Sequence, residues 1–314
     1  MASIDAVAAP ARGAWAGGWY RFSRNRAAVA GLGIILLLSA LALFAPWLDR
    51  GGPTVQHLDA PLQGPSWRFW LGTDQLGRDE YSRLLHGARV SLAVGFFTQA
   101  VALALGMAVG LVAGLGGRKT DALLMRATDV AYAFPDLLMI ILLISIFGAS
   151  VSMLVLAIGL VSWTTIARLV RAQVLALREE EFVLAARALG ASDWRIARHH
   201  LVPNLLGPVI VAATFGVPSA IFAEAALAFI GLGLPPPAPS WGRLVTDSFS
   251  TMQVAPYLAV SSCMAIALTM MSFSSVGDGL RDALDPRTRD RRLLPQAQPE
   301  HASHTEPAAE RKAA

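Results

Sequence analysis

The sequence predicts an all-α integral membrane protein with six transmembrane helices. Of its 314 residues, 54% are hydrophobic and only 15% are charged, and the mean hydropathy is +0.51. This composition is too apolar for an ordinary soluble domain. Long runs without a charged residue alternate with shorter polar segments, and most Lys and Arg residues lie beside those runs. Such runs are long enough to cross a bilayer as helices.

The first span is predicted at residues 27–48, a run without charge that reaches about 33 Å as a helix. Arg21, Arg24 and Arg26 precede it, and basic residues beside a first helix stay in the cytoplasm. No signal-peptide cleavage pattern precedes this run, so residues 1–26 are expected to be a cytoplasmic segment and the run a retained anchor. Residues 49–89, rich in Pro, Gly and Trp, are then predicted to be periplasmic.

Residues 90–277 are predicted to hold the other five spans. The run 90–117 is uncharged and contains glycines that permit close helix packing. The uncharged run 137–167 is long for one span and short for two, and a turn is possible at 148–150. We therefore expect the third span to begin near position 121 and the fourth near position 151.

The distribution of Lys and Arg decides the number of spans. Six spans, the last at residues 254–276, place most of these residues on the side of the amino terminus. A chain with five spans and its amino terminus inside would have most of its Lys and Arg residues outside. The opposite orientation would place the arginines before the first helix outside, although the first helix usually dominates orientation. We therefore predict both termini in the cytoplasm. Residues 278–314 form a predicted cytoplasmic tail, whose polar end is expected to be disordered.

The fifth span is predicted at residues 205–230 and contains Pro208 and Pro218, which we expect to interrupt it. Its one charged residue is Glu224. A carboxylate that faces lipid is costly, so Glu224 should face protein or a water-filled cavity. It is a candidate either for the transport pathway or for a structural hydrogen bond or ion pair at an interface.

A strongly charged segment, residues 178–204, separates the fourth and fifth spans. Gly190 leaves helical geometry at little steric cost, so a helix is expected to stop there. Ser192 or Asp193 can cap a second helix, because their short side chains reach the free N–H groups of a first turn. The segment is therefore predicted to be two short helices bent about a glycine.

In the second short helix, Trp194, Ala197 and Leu201 recur at helical spacing on one face, and Pro203 is expected to end the helix. Two interpretations of this segment stay open from its composition. It forms a protrusion that fits a groove in another protein, or it is an amphipathic helix that lies on the bilayer surface.

The order of residues in this segment resembles the cytoplasmic-loop signature of ABC importer permeases. Ala185 and Ala186 precede Gly190, and Pro203 follows that glycine at the spacing of the signature. Leu184 replaces the leading glutamate of the family, and His200 replaces an isoleucine. The resemblance extends to residues 71–92, 129–135 and 224–242, which are similar to the C-type permease subunit of dipeptide, oligopeptide and nickel importers.

This resemblance implies a type I ABC importer permease fold and a bacterial inner-membrane location. It also implies four partners: a homologous second permease, two ATP-binding subunits that hold ATP and Mg²⁺, and a substrate-binding protein. The residues implied for coupling to the ATPase are Leu184, Ala185, Ala186, Gly190, Asp193, Trp194, Arg195, His200 and Pro203. The candidates for binding-protein docking or an outer gate are Gly72, Thr73, Asp74, Gly77, Arg78, Pro236 and Trp241.

Other classes of function lack their motifs. The sequence has no phosphate-binding loop, serine-hydrolase elbow or zinc-binding helix motif, so the chain is predicted to be no enzyme and to hold no cofactor or metal. The single cysteine, Cys263, excludes an intrachain disulfide. The basic residues form no single face for nucleic acid. The remaining alternatives are a permease for nickel or another small solute and an ion-driven secondary transporter.

Overall fold

The computed structural model describes residues 14–284, and that part of the chain is helical without a β-strand, as predicted. The first thirteen residues and the predicted tail beyond residue 284 lie outside the described part. The helices are α1 (Ala14–Arg24), α2 (Arg26–Leu43), α3 (Ala45–Leu48), α4 (Glu80–Leu115), α5 (Arg118–Ala133), α6 (Asp136–Phe147), α7 (Val151–Arg178), α8 (Glu181–Ala188), α9 (Asp193–Ile196), α10 (Val202–Phe229), α11 (Trp241–Phe249) and α12 (Pro256–Leu284). A π-helical turn, Ala197–Leu201, joins α9 to α10.

Within residues 14–284, five helical stretches are long and apolar enough to cross a membrane. These are α2, α4, α7, α12 and the continuous stretch from α9 through α10. The pair α5 and α6 also qualifies when taken together, although the two helices meet at an angle of 82°. Counting that pair as one span gives the six that the sequence predicts.

The third predicted span is not one straight helix, because the chain bends sharply between α5 and α6. Phe134 is extended, with φ −75° and ψ 135°. The residue before a proline disfavours helical geometry, and Pro135 follows directly. The predicted turn at 148–150 is confirmed, since Gly148 has φ +83° and the Ser150 side chain caps α7 by accepting a hydrogen bond from the Met153 N–H at 3.1 Å.

Proline does not break the fifth span. Pro203 lies in the first turn of α10 and does not end a helix, because N–H groups in a first turn have no partner within the helix and proline lacks only that group. Pro208 and Pro218 lie inside α10, which continues through both. The expected interruptions are therefore absent from this helix.

The centre of the bundle is the contact between α4 and α7. Gly106, Gly110 and Gly114 lie on one face of α4, and a β-carbon at any of them would approach an α7 atom to 2.6–2.7 Å. The two helices therefore pack with their backbones close together, as small residues allow in membrane proteins. Val170 of α7 is fully buried in this contact region.

The other helices surround this pair. α10 contacts α4, α7 and α12, and α12 also packs against α2 and α11. Two features were missed in the sequence: α1 is helical, and α4 begins at Glu80, ten residues before the predicted span. Asp79 caps that earlier start, because its carboxylate accepts a hydrogen bond from the Ser82 N–H at 3.0 Å.

Candidate functional site

The segment 178–204 forms the predicted pair of short helices, α8 and α9. Helix α8 ends before Gly190, which has φ +83°, a conformation that strains residues with a side chain. Ser192 caps α9, with its hydroxyl oxygen 3.4 Å from the Arg195 N–H. The expected bend and cap are both confirmed.

One side of this segment is buried against the bundle and the other is exposed. Val183, Ile196 and Leu201 are fully buried in a cluster with α7 and α10 residues. Leu189 is 89% exposed and Trp194 is 75% exposed. All the residues predicted for ATPase coupling are exposed except Ala186 and His200, which are half-buried. Sequence analysis missed Leu189, although an apolar residue beside the predicted turn was a usable signal.

The prediction that Trp194, Ala197 and Leu201 share one face is wrong. Ala197 and Leu201 are buried, whereas the Trp194 side chain points away from the bundle. The π-helical turn Ala197–Leu201 explains the difference, because its wider winding changes the angle between successive side chains. Trp194 is thereby left exposed near Leu189 along the chain.

Arginines of α7 connect this end of the bundle to α4 and α5. The Arg171 guanidinium donates two hydrogen bonds to the Asp121 carboxylate, at 2.5 and 2.6 Å. Arg168 pairs with Asp129 at 2.8 Å, and Arg178 donates to the Gly114 carbonyl oxygen at 2.7 Å. Since α7 leads directly into segment 178–204, these contacts connect that segment to α4 and α5.

The second predicted site lies at the other end of α4. We call residues 71–79 together with α11 the cap. Gly72 and Gly77 have φ values of +80° and +70°, so the chain folds back tightly at both positions. The Thr73 hydroxyl donates to the Ala60 carbonyl oxygen at 2.5 Å and accepts from the Gln63 N–H at 2.9 Å. These contacts fix the loop on the rest of the polar segment.

A buried ion network holds the two parts of the cap together. The Asp74 carboxylate accepts hydrogen bonds from the Arg78 Nε at 2.7 Å and from the Arg83 Nη1 at 2.5 Å. Arg83 also donates to Asp247 of α11 at 2.8 Å, and Arg243 pairs with the same carboxylate at 2.8 Å. Buried charges are stable only when they are paired and hydrogen-bonded in this way.

Most of the residues predicted for binding-protein docking or an outer gate are buried in the cap. Pro236 is exposed, whereas Gly72, Thr73, Asp74, Gly77, Arg78 and Trp241 are buried. The Trp241 ring nitrogen donates to the Leu84 carbonyl oxygen at 3.1 Å. These residues shape the cap from within, because their charges and polar atoms are used in contacts within the chain. The exposed members of the same loop are Gln75 and Leu76.

A polar cavity of about 360 Å³ opens beside this network. Its walls include Asp74, Arg83 and Asp247 from the ion network, Gln75 and Leu76 from the loop, and Pro236 from the proline-rich stretch. The cavity therefore lies between residues 71–92 and 224–242, two parts of the sequence that resemble the permease family, and is also lined by α11.

Glu224 lies fully buried in α10 and is hydrogen-bonded within the chain. One carboxylate oxygen accepts from the Ser240 hydroxyl at 2.7 Å and the other from the Ser91 hydroxyl at 3.2 Å. The Ser91 oxygen in turn accepts from the Trp241 N–H at 3.1 Å. Glu224 thus ties α10 to α4 and to the start of α11, as its structural interpretation requires.

Comparison with protein families shows to which family the chain belongs. Residues 106–290 match the family described as binding-protein-dependent transport system inner membrane component. Residues 13–65 match the N-terminal transmembrane domain of oligopeptide transport permease C. The chain belongs to the binding-protein-dependent transport permeases. Permeases of this family are membrane subunits of ABC importers, and separate subunits bind and hydrolyse ATP.

Individual permeases resemble the whole chain. The dipeptide transport system permease protein DppC of Alkalihalophilus pseudofirmus is 42% identical over 88% of this chain and 90% of its own length. The oligopeptide transport system permease protein OppC of Bacillus subtilis is 40% identical over 88% of this chain and 90% of its own length. The glutathione transport system permease protein GsiD of Pectobacterium atrosepticum is 39% identical over 88% of this chain and 92% of its own length.

A solved ABC importer supports the same fold for this permease. A chain of the inward-facing MetNI methionine ABC transporter matches with a TM-score of 0.53 at 19% identity, over 65% of this chain and 96% of that chain. The permease therefore has the type I ABC importer fold expected from its sequence and is a multi-pass membrane protein of the bacterial inner-membrane class. At this identity the likeness establishes the fold alone.

Proposed function

We propose that this permease forms half of the translocation pathway of an ATP-driven peptide importer. A homologous permease forms the other half, and two ATP-binding subunits supply the energy. The observation that carries the proposal is the exposed apolar pair Leu189 and Trp194, presented at a glycine bend between two spans. Water-exposed apolar side chains of this size are typical of a protein interface.

The segment 178–204 is the proposed contact with an ATP-binding subunit. Its buried side is fixed on α7 and α10, so it moves with those helices rather than independently. Closure of the ATP-binding subunits would shift α7, and the Arg171 and Arg168 ion pairs would carry that shift to α5. The bend between α5 and α6 would then change the shape of the pathway.

The cap is the proposed contact with a substrate-binding protein on the opposite side of the membrane. Gln75, Leu76 and Pro236 are exposed at the mouth of the polar cavity and form the contact surface. The buried network of Asp74, Arg83 and Asp247 keeps this surface in one shape. With the cap outside, segment 178–204 and both termini would lie in the cytoplasm, an orientation that the distribution of basic residues supports.

Site-specific crosslinking tests the ATPase contact in the assembled complex. A photoreactive amino acid at Leu189 should crosslink to an ATP-binding subunit, because the side chain there is exposed. The matched control is Leu58, which is also exposed but lies in the polar segment on the cap side. Capture of an ATP-binding subunit from position 58, or capture of lipid alone from position 189, would contradict the proposal.

Uptake into proteoliposomes that contain the whole importer tests the substrate class. The identity with dipeptide and oligopeptide permeases supports peptides, so a labelled dipeptide should accumulate only with ATP and the binding protein present. Glutathione competition would indicate a tripeptide thiol as the substrate, and uptake of Ni²⁺ alone would reject peptides. Uptake driven by an ion gradient without ATP would favour a secondary transporter.

A further inference from the structure

The first described helix, α1, lies at the boundary of the membrane. Asn25 alone separates it from α2, which crosses the bilayer. It also contacts the end of α12, another span, because Gly18 packs near Leu284 and Phe22 near Gly279. A helix joined to the start of one span and packed on the end of another is held at the level of the lipid headgroups.

A hydrogen bond fixes α1 in this position. The Arg21 guanidinium donates through its Nε to the Ala283 carbonyl oxygen at 2.9 Å, and its Nη2 donates to the same atom. The helix α1 is therefore attached to the bundle along the face that carries Gly18, Arg21 and Phe22.

Within residues 14–284, the other faces of α1 are exposed and carry both aromatic and basic side chains. Trp19 is 65% exposed, and Arg24 is exposed about 140° away around the helix axis. The Arg24 guanidinium contacts Tyr20, through the phenol oxygen at 3.1 Å and the ring face. Arg26 is exposed and forms no hydrogen bond or ion pair with any residue between 14 and 284.

The nearby acidic residues do not neutralise these arginines. Asp278 and Asp282 are exposed near the end of α12, and neither forms an ion pair with an α1 residue within the described chain. A positively charged face beside an exposed tryptophan is the pattern of a helix that lies in the membrane interface. The exposed apolar residues Val29, Leu36 and Leu37 of α2 continue this surface toward the bilayer interior.

We propose that α1 is a bilayer-surface helix that binds anionic phospholipid headgroups. Arg24 and Arg26 bind the phosphate groups, and the Trp19 ring lies at the boundary between headgroups and acyl chains. Phospholipid is the expected ligand of this surface, because the surface is continuous with the lipid-facing side of α2. Helix α2 begins two residues after α1 ends. Binding of lipid to α1 does not require any step of transport.

The depth of α1 can be measured in the assembled importer after reconstitution into vesicles. Cys263→Ser removes the one native cysteine, and a nitroxide label is then placed on Trp19→Cys or on the control Trp67→Cys, which replaces a side chain that is 94% exposed. The label at 19 should be more accessible to oxygen than to a water-soluble nickel chelate, and the label at 67 should show the reverse. Equal access of the chelate to both labels would overturn the proposal.

Headgroup preference is a second, independent measurement. The affinity of the delipidated importer for phosphatidylglycerol, measured by native mass spectrometry, should fall about tenfold or more in Arg24→Gln/Arg26→Gln. The control Arg68→Gln removes an exposed arginine of the polar segment and should retain the affinity. Unchanged affinity in the double variant, or an equal loss in the control, would overturn the assignment of the site to α1.

Discussion

The cap and segment 178–204 both contain glycine with positive φ and charged residues nearby. Most of the charged side chains are buried in the cap and exposed in the segment. In the cap, Asp74 is buried and paired with the buried Arg83 of α4. In segment 178–204, Asp193 and Arg195 are exposed, and apolar side chains point outward between them. The cap is therefore stabilised from within, whereas the exposed surface of the segment is available to another protein.

The largest expected effect tests the internal role of the cap charges. Asp74→Ala would leave the Arg78 and Arg83 guanidinium groups buried without their shared carboxylate, and such a loss typically costs about 3–5 kcal/mol. We expect a large fall in the yield of folded permease and in its thermal midpoint, measured by size-exclusion chromatography after heating. Asp59→Ala breaks the exposed pair with Arg68 and should change little. A stable Asp74→Ala protein would contradict the proposed role of the network.

Substitution of Glu224 tests whether its hydrogen bonds hold the cap on the membrane-spanning helices. Glu224→Ala removes the acceptor of two buried hydroxyl groups, Ser91 and Ser240, at about 1–3 kcal/mol for each unpaired group. Glu224→Gln keeps an acceptor and should retain most of the yield. If Glu224 instead lines the pathway, both variants should assemble normally and transport poorly. Complex yield and uptake measured together distinguish these results.

Trp194 tests the external role of segment 178–204. Trp194→Ala removes an exposed side chain, so the permease itself should fold normally, while its affinity for the ATP-binding subunits should fall by roughly 2 kcal/mol, or about 30-fold. The matched control is Trp67→Ala, whose side chain is exposed in the polar segment. Titration of purified ATP-binding subunits should show weaker binding to the Trp194→Ala permease than to the Trp67→Ala permease. Equal binding would remove Trp194 from the interface.

The smallest effect separates backbone strain at Gly190 from contact with a partner. A β-carbon there meets no atom within 4 Å, so Gly190→Ala should cost only the conformational penalty of positive φ, about 1–2 kcal/mol. Gly190→Trp carries the same backbone penalty and adds a large side chain at an exposed position. A further loss of ATPase stimulation in Gly190→Trp beyond that in Gly190→Ala would indicate that a partner covers the bend. Equal losses would assign the effect to strain alone.

The sequence determined the features that depend on local chemistry. Uncharged runs of sufficient length specify the spans, because each backbone polar group in lipid must be satisfied within a helix. The bend at Gly190 and the turn at 148–150 follow from glycine, serine and their capping geometry. The family resemblance was also visible, since it rests on the order of residues.

Only the tertiary structure decided which side of each motif is buried. Residues 71–79 resemble an exposed loop when read alone, but Asp247, more than 150 residues away, pairs with Arg78 of that loop at 3.6 Å. Trp194 has the spacing of a buried face, but the π-helical turn after it leaves the ring exposed. Burial depends on contacts between distant parts of the chain, and neither residue type nor helical spacing specifies which distant segments meet.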